Sequence, residues 1–400
     1  MNEEIAEYYE ELYRLYIDEN QPLERRYRQL RESLERVVRE RIQGNSLQIT
    51  DLAARINYVA TQYELDIKEQ NQLHTFRLTS NDILNHRKFP AKEEFLRDLR
   101  AVAFAYRKMF AQDIPLKLFS VLPKQEITSL GKKEKKEYIR RIRVCFDYAD
   151  DTYLYVHPVD IIADEPIRVV YNKPGINHEF EETIKELWRY AQLNLLDVFV
   201  DREGIYTPSF IVLEPDYLID ISSLAECYKD YGSHPANYFL SRLVPIDNAR
   251  PLLLGNIANL FLDEWIHAGE EEPDYIDCMK KAFRQYPIEL AACAELRDPS
   301  KEKEFAKDCR MHFEHIRDIV QHTFLEPGYN LDKKDAVLEP SYICEALGIQ
   351  GRLDYMQRDM SSFIEMKSGK ADEFSIQGKV EPKENNKVQM LLYMAALEYS

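Results

Sequence analysis

The stretch 351–370, "GRLDYMQRDMSSFIEMKSGK", sets three ionisable residues, Asp354, Glu365 and Lys367, among apolar neighbours. Two runs that read as strands, "SYICEALGIQGRLDYMQ" at 341–357 and "SSFIEMKSG" at 361–369, meet at a turn-prone segment, Arg358–Ser361. If the chain folds back at that turn, the runs pair antiparallel and Asp354 falls opposite Glu365. Glu365 and Lys367 are two residues apart and share one face, while Ile364 and Met366 point the other way into a core. Two carboxylates and an ammonium then converge. Neighbouring carboxylates repel each other unless a cation lies between them. A hard divalent ion takes a few carboxylate oxygens and keeps water for the rest of its shell. With a lysine beside it to orient or help deprotonate water, this is the minimal equipment for phosphodiester hydrolysis. Taken alone, Asp, Glu and Lys on a hairpin more often form a solvated face with weak ion pairs, and the pattern is short. Further features add to it. Gly348 and Gly351 lie in the first run and allow close backbone approach, and "MKSGK" ends the second in a small-residue turn. Downstream, Gln389 and Tyr393 lie four apart, on one face of an expected amphipathic helix, among Val388, Leu391, Leu392 and Ala395. A polar pair on a helix otherwise suited to burial needs partners.

Composition bounds the classes. The chain has 400 residues, 45% of them hydrophobic and 12% aromatic, which suits two or three globular domains rather than disorder. No stretch approaches the ~20 apolar residues of a membrane span, and "MNEEIAEYYEELYRLY" lacks the regions of a signal peptide. Six dispersed cysteines without a CxxC pair suit a reducing compartment, so a cytoplasmic location and no membrane partner are expected. The net charge of −17 argues against a protein that coats nucleic acid, though not against a local basic groove. The one basic cluster, "GKKEKKEYIRRIR" at 131–143, reads as a solvated charged helix or loop.

Along the chain, helical periodicity dominates residues 1–115, with a break at Gly44–Asn45. Residues 116–205 turn to β-branched and aromatic runs, with turns at Asp150–Asp151 and Lys173–Gly175. From 206 to 400 the pattern is mixed. "SFIVL" and "YLIDIS" read as strands before a helix capped by Ser222 or Ser223. "LLLGNIANLFLDEWIHA" reads as a buried helix, and helices follow near 275–295 and 300–323. The expected fold class is α/β, a mixed sheet flanked by helices, preceded by a helical and β-containing N-terminal region.

Five segments, "FIVLEPDYLIDISSLAE", "LLLGNIANLFLDE", "ALGIQGRLD", "SFIEMKSGK" and "NNKVQMLLYM", occur in an order that resembles the PD-(D/E)XK nuclease superfamily. The similarity is to its RecB-like branch, and within it to the nuclease domain of replicative flap-processing nuclease–helicases. The resemblance covers roughly 206–400 and implies a restriction-endonuclease-like core. It implies a metal-dependent DNA nuclease acting on single-stranded or flap DNA in replication or repair, using Mg²⁺ or Mn²⁺. It further implies that Asp354 and Glu365 bind the metal with the Met366 carbonyl, that Lys367 is catalytic, and that Gln389 and Tyr393 support the site or contact DNA. The alternatives are a catalytically decayed DNA-binding or scaffold module and a restriction-type duplex endonuclease. Residues 1–205 match no part of the resemblance, and are expected to serve contacts to single-strand-binding or repair proteins.

The sequence departs from the family at two points. Where the family carries a histidine ligand four residues after a helix glycine, Gly255 is followed by Asn259, a neutral and weaker ligand, with Asp263 one turn on. Several members hold an iron–sulfur cluster. Cys227 lies near the first ligand position, but Ser233–His234 align better and later ligands would lie beyond Ser400, so a cluster is not expected from these residues. Cys227 reads as a small buried residue. Cys309, His312 and His315 lack a closing pair of ligands, and no phosphate-binding GxxxxGK[ST] loop is present. The unfinished apolar helix at the end leads to the expectation that these residues are the front of a longer polypeptide carrying a helicase motor.

Overall fold

The protein, as a computed structural model, is described over residues 3–42, 49, 51–124, 138–229, 232–243, 249–269, 271–326, 329, 331–367 and 382–400. It divides into two compact units, 1–215 and 216–400.

The first unit begins with helices α1 (Glu3–Ile17), α2 (Leu23–Ile42), α3 (Leu52–Gln62), α4 (Ile67–Leu84), α5 (Lys92–Phe110) and the short α6 (Leu116–Phe119). Polar side chains fix the helix starts. Asp51 accepts from the Ala53 N–H at α3, and Asp66 with Glu69 forms a reciprocal capping box at α4. Tyr9, Tyr27, Leu30, Leu34, Phe76, Phe95 and Tyr106 fill the helical core. Three charged side chains, Arg26, Arg77 and Asp98, are buried with it. Asp98 accepts from the Tyr27 hydroxyl at 3.0 Å and pairs with Arg97 at 2.7 Å. Burial pushes its carboxyl up from 3.8 to about 6, against the opposing pull of Arg97 and Tyr27. A folded-state value above the unfolded one means that Asp98 favours folding fully below its unfolded pKa, and loses that contribution as pH rises through about 6. Asp98→Asn removes this titration. The stability of the native protein relative to Asp98→Asn is expected to fall by about 3 kcal/mol between roughly pH 4 and pH 6. Urea unfolding of both proteins across that range checks this, and a pH-independent difference refutes it.

The chain then forms β1 (Tyr138–Ala149), β2 (Tyr153–Pro158), β3 (Ile167–Val170), helix α7 (Glu181–Lys185), β4 (Gln192–Val200), β5 (Tyr206–Thr207) and β6 (Phe210–Leu213). The strand order is β1-β2-β3-β5-β4-β6, and β1 also pairs with β4, which closes a ring of five strands. Alternate residues, among them Val144, Leu154, Val156, Val169, Leu193 and Leu195, fill its interior. Two expectations change here. Residues 138–143 of the basic cluster are strand, because Arg141–Arg143 pair in register with Leu196–Asn194 of β4; residues 131–137 lie outside the described residues. The boundary near 205 moves to Pro215–Asp216, because "SFIVL" pairs with β4 (Leu193↔Leu213 to Leu196↔Phe210) and completes the first unit's sheet. The helical and β-containing regions, separated in sequence at 115, share this one unit.

The second unit runs through β7 (Ile219–Asp220), α8 (Ile221–Ala225), α9 (Ala236–Leu243), α10 (Arg250–His267), α11 (Tyr275–Gln285), α12 (Pro287–Ala292) and α13 (Pro299–Gln321). It continues with β8 (Ala336–Leu338), β9 (Ser341–Cys344), β10 (Ile349–Arg352), β11 (Tyr355–Gln357), β12 (Phe363–Ile364) and α14 (Glu384–Tyr399). The expected sheet is split in two. In β7-β10-β9 the first pair is parallel and the second antiparallel, whereas β12-β11-β8 is wholly antiparallel. The α/β class therefore holds, with mixed sheets flanked by helices. Ile257, Phe261 and Trp265 of α10 pack with Phe305, Phe313 and Ile316 of α13, and Tyr355 joins this core. The helix after β7 is capped by Asp220, which accepts from the Ser223 N–H, not by Ser222 or Ser223. Helix α14 is not amphipathic in the expected sense. Gln389, Tyr393 and Ala396 are buried, while Leu391 and Met394 are exposed. Among the described residues, no helix is long and apolar enough to cross a membrane.

Candidate functional site

The hairpin forms in the expected register. Tyr355 pairs with Ile364 and Met356 with Phe363, so the next step outward sets Asp354 against Glu365. The turn at Arg358–Ser361 is tied by the Asp359 carboxylate, which accepts from the Ser361 N–H at 3.0 Å and hydroxyl at 2.7 Å, and by Met360 at φ 60°. Ile364 and Met366 turn to the apolar core. The Met366 N–H donates to Asp354 Oδ2 at 2.6 Å, and Asn259 Nδ2 on α10 donates to Asp354 Oδ1 at 3.2 Å. Two elements thus fix the aspartate from either side.

Glu365 is held differently. Lys367 Nζ donates to Glu365 Oε1 at 2.9 Å and to Gln389 Oε1 at 2.8 Å. Gln389 Nε2 donates to Glu365 Oε1 at 2.8 Å and to Ser222 Oγ at 3.0 Å. Ser222 was not singled out as a site residue by the sequence. Its hydroxyl, able to donate or accept, takes the second Gln389 N–H, while Glu365, which only accepts, and Lys367, which only donates, fix which end of the amide faces each. The only legible signal was its place on the helix after "YLID".

The Glu365 side chain is only 10% exposed, and its Oε2 is buried with no hydrogen-bond partner among the described residues. Burial raises the carboxyls of both Asp354 and Glu365 above their ordinary values, and the Asp354 charge adds to the rise at Glu365. A cation against Oε2 would reverse both effects. The residues present therefore fit a hard divalent ion: two carboxylates near each other, one with an oxygen left over. Among the described residues, no group of three or more His, Cys, Asp or Glu side chains forms a ready-made cage. Asp263, one turn beyond Asn259, also has its carboxyl raised, first by burial and then by the Glu339 and Asp354 charges. Glu339, another residue the sequence did not single out, has its N–H on the Asp354 carbonyl at 3.1 Å and its carboxylate on Arg352 at 3.1 Å.

Tyr393 lies beneath the site. Its hydroxyl donates to the Arg352 carbonyl at 2.7 Å, and its ring occupies the space over Gly351. A Cβ at Gly351 would stand 2.8 Å from Tyr393 Cε1, which is why the strand carries glycine there. Gly348 is the left-handed residue of the preceding turn, at φ 64°. The "MKSGK" turn lies outside the described residues beyond Lys367. Cys227 is buried, with its thiol near the Ser223 and Pro235 carbonyls, and Cys309 lies in the α13 core with burial pushing its thiol up to about 12. Neither belongs to the cluster around Glu365.

Comparison of the chain with protein-family models, with curated proteins and with solved structures finds no match.

Proposed function

We propose that this chain is a divalent-metal-dependent nuclease that hydrolyses phosphodiester bonds in single-stranded or flap DNA. The observation that carries this proposal is the half-buried Glu365 carboxylate, whose buried Oε2 has no partner among the described residues, set opposite Asp354 and beside a lysine held by a buried glutamine. Asp354 and Glu365 would hold Mg²⁺ or Mn²⁺, with the Met366 carbonyl as a further oxygen. Bound there, the ion would polarise a phosphate oxygen and acidify water. Lys367 would orient the attacking water and balance charge at the scissile phosphate as the ammonium that donates to Glu365 and Gln389, or accept the water's proton only in its neutral amine form. Gln389 holds Lys367 in place, and Ser222 holds Gln389. The Met366 N–H and Asn259 keep Asp354 in one rotamer. In this arrangement Asn259 steadies a ligand rather than serving as one, because it presents its amide nitrogen to Asp354.

The second reading, a decayed DNA-binding or scaffold module, is favoured by that same asparagine, which stands where the resembled family has histidine. Labelled single-stranded, flap and duplex DNA, incubated with Mg²⁺, Mn²⁺ or EDTA, separates the readings. Metal-dependent loss of single strands or flaps is expected. Cleavage of duplex alone would favour a restriction-type enzyme, and binding without cleavage in any metal would favour the decayed module.

A further inference from the structure

We infer that the outer face of the barrel in the first unit, at Tyr148, Tyr153, Tyr155 and Arg168, is a stacking platform for single-stranded nucleic acid. A five-stranded ring ordered β1-β2-β3-β5-β4, with a helix between β3 and β4, is the OB arrangement, whose β2–β3 face is a common seat for oligonucleotides. Fold alone does not assign function; the side chains on this face do so here. Leu154 and Val156 point into the barrel, so Tyr153 and Tyr155 point out. Phe146 also points inward, and unbroken alternation would send Tyr148 the same way. The register shift between Phe146 and Tyr148 turns it outward instead. Tyr148, Tyr155 and Arg168 then stand in one row across three strands.

The rings are arranged for stacking. Tyr148 and Tyr155 lie 4.2 Å apart and 12° from parallel, and Tyr153 meets Tyr155 edge-on at 6.4 Å. With one ring face on Tyr155, Tyr148 is still 50% exposed, so a base can extend the stack. The Arg168 guanidinium lies 5.6 Å from the Tyr153 ring centre, and among the described residues it has no carboxylate partner. Nearby acids are already engaged. Asp150 accepts from the Thr152 and Tyr153 N–H groups and the Tyr155 hydroxyl, and Asp147 pairs with Arg189 at 2.7 Å. Cross-strand stacking alone would account for the tyrosines but not for a guanidinium that rests on the Tyr153 ring with no carboxylate partner among the described residues. Flat rings beside a guanidinium that no carboxylate among the described residues neutralises suit a base and its phosphate, and every base has a face to stack. An acidic protein with one such cation binds mainly by stacking, so the salt dependence is shallow, with a log–log slope of about −0.7 for a single phosphate contact.

This inference does not depend on the nuclease proposal, and its test runs in EDTA, where metal-dependent cleavage cannot contribute. Binding of the full chain to fluorescent oligo-dT, oligo-U and a duplex is followed by anisotropy. Photocrosslinking to iodouracil-substituted strands then locates the contact. Crosslinks at Tyr148 or Tyr153 are expected, with duplex bound at least about tenfold more weakly than single strands. Tyr148→Ala should weaken binding about five- to 150-fold, and Tyr148→Phe, which keeps the ring, should remain within about twofold of native. The dT and U arms distinguish DNA from RNA. Unchanged affinity in Tyr148→Ala, or crosslinks confined to residues 216–400, would overturn the inference and leave a protein partner or a plain sheet-stabilising ladder.

Discussion

Glu365→Ala or Lys367→Ala is expected to abolish DNA cleavage while leaving DNA affinity within about threefold of native. The two residues meet at 2.9 Å and share Gln389, so they act as one unit. Losing Glu365 removes the carboxylate whose free oxygen suits the cation, and it leaves Lys367 with Gln389 alone. Losing Lys367 removes the group that handles the water's proton, a role worth about 10²–10⁴-fold in rate. Because both act on the same step, the double variant should be little worse than either single one. Binding through phosphates and bases elsewhere is not touched. Single-turnover cleavage with saturating Mn²⁺, alongside filter binding in EDTA, measures both quantities. Cleavage within about tenfold of native in either folded variant would remove these residues from the proposed chemistry.

Tyr393→Ala is expected to destabilise the second unit by about 3–5 kcal/mol, the usual cost of emptying a buried aromatic site. The side chain is 1% exposed and its hydroxyl satisfies the Arg352 carbonyl, so truncation leaves both a cavity and an unpaired acceptor. Gly351→Ala should cost about 1–3 kcal/mol in the native background, since its Cβ would meet Tyr393 Cε1 at 2.8 Å, Tyr393 Oη at 3.0 Å and Ile221 Cδ1 at 3.1 Å. In the Tyr393→Ala background two of those three contacts are gone, and the same substitution should cost less by about 1 kcal/mol or more. Calorimetric unfolding of the four proteins closes the cycle. Additive costs would mean that strand and helix relax independently, and that Gly351 is not glycine on account of Tyr393.

The sequence by itself determined what local rules govern. Period-two alternation and a turn-forming Arg358–Ser361 put Asp354 opposite Glu365, and a one-residue slip would have turned Ile364 out to solvent. Spacing of four put Gln389 and Tyr393 on one helix face; that this face is the buried one, with Leu391 exposed, came from the fold. Long apolar periodicity marked α10 and α13. Only the tertiary structure decided the rest, because it depends on which distant segments meet. "SFIVL" carries a strand signal but nothing that names β4 as its partner, so the unit boundary was misplaced. Ser222 is 167 residues from Gln389, and no spacing rule links them. The outward turn of Tyr148 depends on one irregularity in pairing between β1 and β2, and the unpartnered Glu365 oxygen on every neighbour that did not reach it. Periodicity is set by the backbone's own geometry and can be read along the chain. Satisfaction of a buried polar atom is set by what folding brings next to it, and exists only in the folded molecule.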